Sequence, residues 1–113
     1  MTIAGHKAAL TRLMGRAADE IEQVENGQGD NNLEESQETL NEAFQLARRK
    51  TQHIYQLYDA AIEEVEDKIA VDESYRTEGD TVVKSLNTRL AALQTEWLEF
   101  QTRYRRAAVA WTA

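Results

Sequence analysis

The chain has 113 residues, with 13 basic and 20 acidic side chains, and it contains neither cysteine nor proline. This length fits a single domain over residues 1–113, and the lack of cysteine excludes disulfides, thiol nucleophiles and iron–sulfur clusters. An apolar content of 42% is too high for a disordered chain, and the absence of proline is typical of long helices. Since no stretch resembles a membrane span or a secretory signal, we expect an intracellular, cytoplasmic protein.

Two polar stretches that contain glycine divide the chain into three segments. Residues 26–32 combine two glycines with three asparagines, which favour turns over helix. Residues 72–80 are also polar and include Gly79. These breaks predict three helices, over about 2–25, 33–71 and 81–111.

The first segment repeats its apolar residues at steps of three and four, which is the spacing of one helical face. Gly15 lies inside this pattern and costs about 1 kcal/mol relative to alanine. Acidic residues crowd the last turns, where the helix dipole is also negative, so we expect this helix to be the least stable. The apolar positions are Ile3, Leu10, Leu13, Met14, Ala17, Ile21 and Val24.

The second segment opens with a capping pattern, in which Asn32 is followed three residues later by Glu35. Its apolar stripe is narrow at first and widens from Ile54 onward to an arc of roughly 160°, which fits a helix with two neighbours. We therefore predict that most of the core lies against residues 54–69.

The third segment has the most regular pattern, because its apolar residues alternate steps of three and four as in a coiled-coil seam. Asp80 or Thr81 is the predicted N-cap. Short connections favour antiparallel neighbours, so the predicted fold is all-α: an antiparallel up-down-up three-helix bundle with coiled-coil-like packing. The long middle helix then either overhangs its neighbours or bends before Val71. The seam residues are Val83, Leu86, Leu90, Leu93, Trp97, Phe100, Tyr104, Ala107 and Trp111.

No group of side chains in the sequence indicates catalysis or a cofactor. His6 and His53 lie on different predicted helices, and we interpret both as surface residues because a metal site needs further ligands. The acidic residues of 63–67 lack the glycine and the oxygen spacing of a calcium loop. Since the glycine and serine motifs of nucleotide-binding and hydrolytic sites are also missing, the prediction is a protein without enzymatic activity, metal or cofactor.

Four residues are candidates for an interface with another protein. The net charge of −7 argues against nucleic acid, although Arg105 and Arg106 belong to a C-terminal basic cluster that would give salt-dependent RNA binding if it were used that way. Trp111 lies beyond the predicted reach of the first helix, and tryptophan is frequent in binding hot spots. Phe44 lies where the predicted core is thin, beside a possible groove at residues 33–51.

Short stretches along the chain resemble a known family. They are the segment from His6 to Leu13, which contains Leu10-Thr11-Arg12, the pairs Ala43-Phe44 and Leu57-Tyr58, and the segment from Leu86 to Leu90. Together with the acidic stretch between the second and third helices, these resemble the N-terminal helical region of Gag-like polyproteins of BEL/Pao-type retrotransposons. The resemblance implies a module for self-association or assembly, in a retroelement protein or a host protein derived from one, with no chemistry of its own.

Two functional hypotheses follow. The first is a non-catalytic structural module that associates with copies of itself, as the Gag-like resemblance implies. The second is a spectrin-like helical adaptor that binds a partner helix in an apolar groove. The first predicts a homo-oligomer and the second a monomer with an exposed groove.

Overall fold

The computed structural model describes residues 2–25 and 33–112, with side chains described over 2–23 and 37–109. The described part is helical, without β-strands, so the all-α prediction is confirmed. The molecule is elongated, with extents of 64 × 21 × 17 Å. The helices are α1 (Ile3–Glu25), α2 (Leu33–Val71) and α3 (Arg76–Thr112), with a short 3-10 turn (Glu73–Tyr75) between the last two.

The turn between α2 and α3 is shorter than the sequence suggested. Asp72 ends α2 in an extended conformation and caps the 3-10 turn, because its Oδ1 accepts hydrogen bonds from the backbone N–H of Ser74 at 3.1 Å and from the Ser74 hydroxyl at 2.6 Å. These bonds hold the pKa of Asp72 below its ordinary value. The predicted helix start at Asp80 or Thr81 is therefore wrong, since α3 already begins at Arg76.

Gly79 is a packing residue inside α3. It is buried, and a Cβ atom added to it would lie 2.5 Å from Cδ1 and 2.6 Å from Cγ1 of Ile69 in α2, and 3.2 Å from the Tyr75 ring. The absence of a side chain lets α2 and α3 approach closely just after the turn that joins them. Nζ of Lys68 lies over the Tyr75 ring, 4.2 Å from its centroid, and this cation–π contact joins the end of α2 to the 3-10 turn.

The helices contact each other in a consistent order along the long axis. His6 of α1 contacts Lys50 and His53 of α2, while the end of α1 lies beside the first turns of α2. Lys7 of α1 forms an ion pair with Glu96 of α3. Ile3 of α1 lies beside Leu86 of α3 and Met14 lies beside Phe100, so α1 runs parallel to α3 and antiparallel to α2.

The main core lies nearer the N-terminal end of α2 than predicted. Leu40, Ala47 and Ile54 of α2 are fully buried, and Tyr58 is the last α2 residue of the core cluster. The prediction that most of the core lies against residues 54–69 is therefore wrong. The reason is the length of α1. Its C-terminal end lies beside the first turns of α2, and its 23 residues run back along α2 only as far as Tyr58.

The third-helix seam forms the other wall of this core. Leu93, Trp97, Phe100 and Ala107 are buried, as their heptad spacing predicted. The cluster is completed by Leu10, Ala17 and Ile21 of α1. No described helix is long and apolar enough to cross a membrane.

Candidate interaction surface

The first half of α2 carries one row of residues that faces α1. Lys50 Nζ lies 3.2 Å from Nδ1 of His6, and the rings of His53 and His6 meet edge to face at 4.7 Å. Leu46, one turn before Lys50, lines the same side of α2 beside α1. At helical spacing the row that contains Leu46, Lys50 and His53 continues through Leu57, Glu64 and Val71.

A matching row on α3 faces α1 from the other side. Its members Leu93 and Glu96 line a groove of about 340 Å³ against Ile3, Ala4 and Lys7 of α1. The groove begins at Leu86, and at steps of three and four the row continues toward the start of α3 through Val82 and Gly79.

Both rows extend past the point where α1 begins. Ile3, the first residue of α1, lies beside Tyr58 and Leu86, whereas α2 runs on to Val71 and α3 starts at Arg76. The 13 residues from Tyr58 to Val71 correspond to about 20 Å of helix. Over this length α2 and α3 form a two-helix hairpin, residues 59–85, which we call the tip.

The tip has an incompletely covered apolar face where α1 would lie if it were longer. We call this face the open seam. Val71 is 90% exposed and Val82 is 39% exposed, although both occupy rows that contact α1 in the part of the bundle that contains all three helices. The open seam comprises Ala61, Val65 and Val71 of α2 and Val82 of α3, and it adjoins Leu86, where α1 begins.

The tip is strongly acidic. Residues 59–85 contain nine acidic and three basic side chains, a net charge of −6. Glu64 and Lys68 are exposed within the α2 row of the open seam, and Asp67 of α2 and Glu78 of α3 are exposed beside it. The surface therefore combines half-buried and exposed apolar residues with charged side chains, a mixture that an amphipathic partner can cover.

The two histidines form a cluster that the sequence did not reveal. His6 is half-buried between α1 and α2, and His53 is exposed beside it. Partial burial, followed by the Lys50 ammonium and then the His53 ring, holds the pKa of His6 below its ordinary value. Within the described residues, no group of three or more histidine, aspartate or glutamate side chains is arranged to hold a metal ion.

Of the four residues predicted to form an interface, Phe44 lies in an aromatic cluster between α2 and α3. Its ring stacks on Tyr104, with centroids 4.0 Å apart and planes 6° apart, and lies 5.5 Å from Trp97 and 6.0 Å from Phe100. The Tyr104 hydroxyl also donates a hydrogen bond to Oδ1 of Asn41 at 3.3 Å. Phe44 is half-buried, and these contacts give it a packing role toward α3.

The other predicted interface residues lie at the far end of α3. Arg105 and Arg106 are exposed. Trp111 belongs to the α3 backbone, but its side chain lies outside the described residues. A groove does lie beside the first half of α2, where Leu13, Ala43 and Leu46 give it an apolar floor and charged residues such as Arg16 and Glu42 line its edges.

Comparisons with known proteins give no relative of this chain. No family model matches, and neither a curated protein nor a solved structure shows significant similarity.

Proposed function

We propose that this protein is a non-catalytic interaction module that accepts an additional helix along the open seam. The observation that supports the proposal is the difference in length between α1 and the α2–α3 hairpin. The two rows that bury α1 over the lower bundle continue for about 20 Å beyond Ile3 and end at the exposed Val71 and Val82.

The physical reason is the incomplete packing of a two-helix hairpin. Two helices cover only one side of each other's apolar stripe, and a third helix is needed to bury the rest. Outside the tip α1 supplies that third helix, and Leu93 and Ile54 are almost completely buried there. In the tip the equivalent residues Ala61 and Val65 remain half-buried. A docked helix would remove this apolar surface from water.

An extension of α1 tests whether the open seam accepts a helix. Because α1 runs parallel to α3 and starts beside Tyr58, an amphipathic helix of about 14 residues added before residue 1 would lie over the tip. We expect slower amide hydrogen exchange at residues 59–71 and 79–86, because the tethered helix acts at a high effective concentration. Unchanged exchange in the tip would contradict the proposal.

A matched pair of substitutions locates the effect. Val82→Asp places a charge in the open seam, whereas Leu98→Asp makes the same kind of change at a residue that is 60% exposed elsewhere on α3. We expect Val82→Asp to abolish the protection given by the added helix and Leu98→Asp to leave it intact. Equal effects of the two substitutions would mean that the helix docks elsewhere.

Self-association remains a second proposal. The Gag-like resemblance implies it, and one outer row of α3 supports it, because Leu98 and Val109 are exposed by 60% and 65% and stand on the same helical side as Arg105. Light scattering over a concentration series measures it directly. A molecular mass that rises with concentration, and that Leu98→Asp holds at the monomer value, would favour self-association over the open seam as the working surface.

A further inference from the structure

We infer that the outer face of α3 is a contact surface between two copies of this chain, which pair through antiparallel α3 helices around a twofold axis. This inference rests on the second proposal, self-association, and specifies its surface and geometry; it does not depend on the open seam. The observation that carries it is a second heptad repeat on α3, on the side that faces away from the core.

Only one of the two heptad repeats of α3 is buried in the bundle. The first contains Leu93, Trp97 and Phe100 of the core. The second follows the same steps of three and four, but every member is exposed, and we call it the outer seam. It consists of Thr81, Lys84, Thr88, Ala91, Thr95, Leu98, Thr102, Arg105 and Val109.

Threonine recurs every seven residues along the outer seam, as Thr81, Thr88, Thr95 and Thr102. On an exposed helix face threonine is up to about 0.7 kcal/mol less favourable than alanine, so the stability of the helix gives no reason for this repeat. Each hydroxyl donates a hydrogen bond to the backbone carbonyl four residues earlier, at 2.9–3.1 Å. Because these hydroxyls are already satisfied, the threonines can be buried against another helix without losing a hydrogen bond.

The outer seam is also poor in charge. It contains two cations, Lys84 and Arg105, and no carboxylate, although the whole chain has 20 acidic side chains. Exposed Leu98 and Val109 are apolar members of the same row. This composition is typical of the core of an interface, which is depleted in charged residues. The outer face of α2 is by contrast that of a solvated helix, with the exposed charged residues Glu42, Arg49, Asp59, Glu63 and Glu66.

Antiparallel pairing makes the outer seam complementary to itself. When Thr95 of one copy lies opposite Leu98 of the other, no cation faces another cation across the twofold axis. Parallel pairing would instead place Lys84 against Lys84 and Arg105 against Arg105, and these like charges would repel. The antiparallel pairs, each occurring twice, are Thr95–Leu98, Ala91–Thr102, Thr88–Arg105 and Lys84–Val109.

The residues that flank the outer seam agree with this arrangement. On one side Gln94 lies across from Gln101 of the second copy, and two side-chain amides can hydrogen-bond to each other. On the other side Glu99 lies across from Ala92 of the second copy, so it does not meet another carboxylate. The flanks therefore add no repulsion between like charges.

The size of the outer seam limits the affinity. It spans about 42 Å of helix from Thr81 to Val109, but its contact patch is narrower than the 20–30 residues per partner of a standard interface. We therefore expect a reversible dimer with a Kd in the micromolar range. Each copy carries a net charge of −7, so salt should screen the long-range repulsion and leave the Kd equal or lower.

Sedimentation velocity of the whole chain over a concentration series measures the dimer and its Kd. Leu98→Asp places a carboxylate in the middle of the outer seam and should raise the Kd at least about 10-fold. The control Val71→Asp makes the same kind of change at a residue that is 90% exposed in the tip, and it should alter the Kd by less than about twofold. Far-ultraviolet circular dichroism checks that both variants are folded.

Single cysteines determine the orientation of the two helices, because the chain has no cysteine of its own. In the antiparallel pair residue 91 of one copy meets residue 102 of the other. An oxidised mixture of Ala91→Cys and Thr102→Cys should therefore give the disulfide-linked heterodimer, which intact mass distinguishes from either homodimer.

Each cysteine variant alone is the matched control. Like positions would be offset by about 16 Å along the paired helices, which exceeds the distance of about 7 Å that a disulfide can bridge between two Cα atoms. Oxidation of either variant alone should thus leave it uncrosslinked. Efficient homodimer formation by each variant alone would show a parallel pair and would overturn the inferred geometry.

The possible failures have different meanings. A dimer that Leu98→Asp leaves unchanged would refute the outer seam and leave self-association standing through another surface. A dimer that dissociates as salt rises would be held by opposite charges, which would also refute the outer seam. A strict monomer at every concentration would refute self-association together with this inference, and would leave the proposed function of the open seam untouched.

Discussion

Gly79→Ala provides the sharpest test of the packing in the tip. At an exposed helical site such as Gly15, where an added Cβ would have no neighbour within 4 Å, alanine should stabilise the protein by about 1 kcal/mol through helix propensity. Gly79 is also helical, so the same gain applies. Its added Cβ, however, would lie 2.5 Å and 2.6 Å from two atoms of Ile69, which is itself only 8% exposed.

The net effect follows from these two terms. Forcing an extra carbon into a packed site typically costs about 1–3 kcal/mol, since neighbouring side chains must leave their preferred rotamers. We therefore expect Gly79→Ala to be destabilising by roughly 0–2 kcal/mol, whereas Gly15→Ala is stabilising by about 1 kcal/mol. Urea unfolding followed by far-ultraviolet circular dichroism gives both values, provided that the slopes of the two transitions agree.

A double-mutant cycle identifies the cause. In an Ile69→Ala background the nearest obstructing side chain is gone and the Tyr75 ring remains 3.2 Å from the added Cβ, so Gly79→Ala should be less destabilising than in the native chain, with a limit of about 1 kcal/mol of stabilisation as at Gly15. The reasoning would be refuted if Gly79→Ala in the otherwise native chain stabilised as much as Gly15→Ala, because α2 and α3 would then not approach closely at this point.

Two further predictions concern the core and the histidine cluster. Leu93→Ala should lower the free energy of unfolding by about 2–5 kcal/mol, because Leu93 is only 2% exposed. Leu98→Ala should change it by no more than about 0.5 kcal/mol in the same urea assay. Similar values for the two variants would mean that the seam of α3 is wrongly placed. His6 has a lowered pKa in the folded chain, so the unfolded chain binds more protons just below pH 6.5. The free energy of unfolding should therefore fall as the pH drops through 6.5, and it should level off once the pH is below the folded pKa of His6. His6→Gln should flatten this part of the stability profile, and an unchanged profile would assign the effect to another group.

The sequence predicted two of the three helices closely. Helical spacing and the polar stretch at 26–32 placed α1 and α2 within a residue of their observed bounds. These signals are local, because a helix must present an apolar stripe every three to four residues and its flanks must favour turns. The heptad pattern of α3 likewise identified Leu93, Trp97 and Phe100 as core residues.

The start of α3 was mispredicted because a glycine has more than one structural use. The polar stretch around Gly79 predicts a helix break, yet Gly79 is helical and permits a close contact with Ile69, a residue ten positions away on another helix. The local signal for the real turn was the Asp72–Ser74 pair, whose side chains bond to each other and to the backbone. Neither the contact nor its partner can be inferred from the spacing of apolar residues.

The open seam could have been anticipated by counting residues. With a short connection, an α1 of 23 residues that folds back from Leu33 can reach only about 23 residues along α2, to a position near Tyr58. The breadth of the apolar stripe after Ile54 suggested two neighbours for residues 54–69, and the prediction of the core followed that breadth. Within the described residues α1 contacts α2 only as far as Tyr58, which is why the core there ends earlier than the breadth of the stripe predicts.

The close contact at Gly79 also bears on the proposed function. A two-helix hairpin without a third helix buries little apolar surface, so it needs another means of fixing the distance between its helices. The missing side chain at Gly79 and the Ile69 side chain that fills its place hold α2 against α3 near the turn, and Lys68 covers Tyr75 beside them. The rows that carry Val71 and Val82 are thereby kept at a defined separation before any partner arrives. A seam held in this way would spare the proposed partner helix part of the entropic cost of ordering the hairpin, which favours the binding of a short helix.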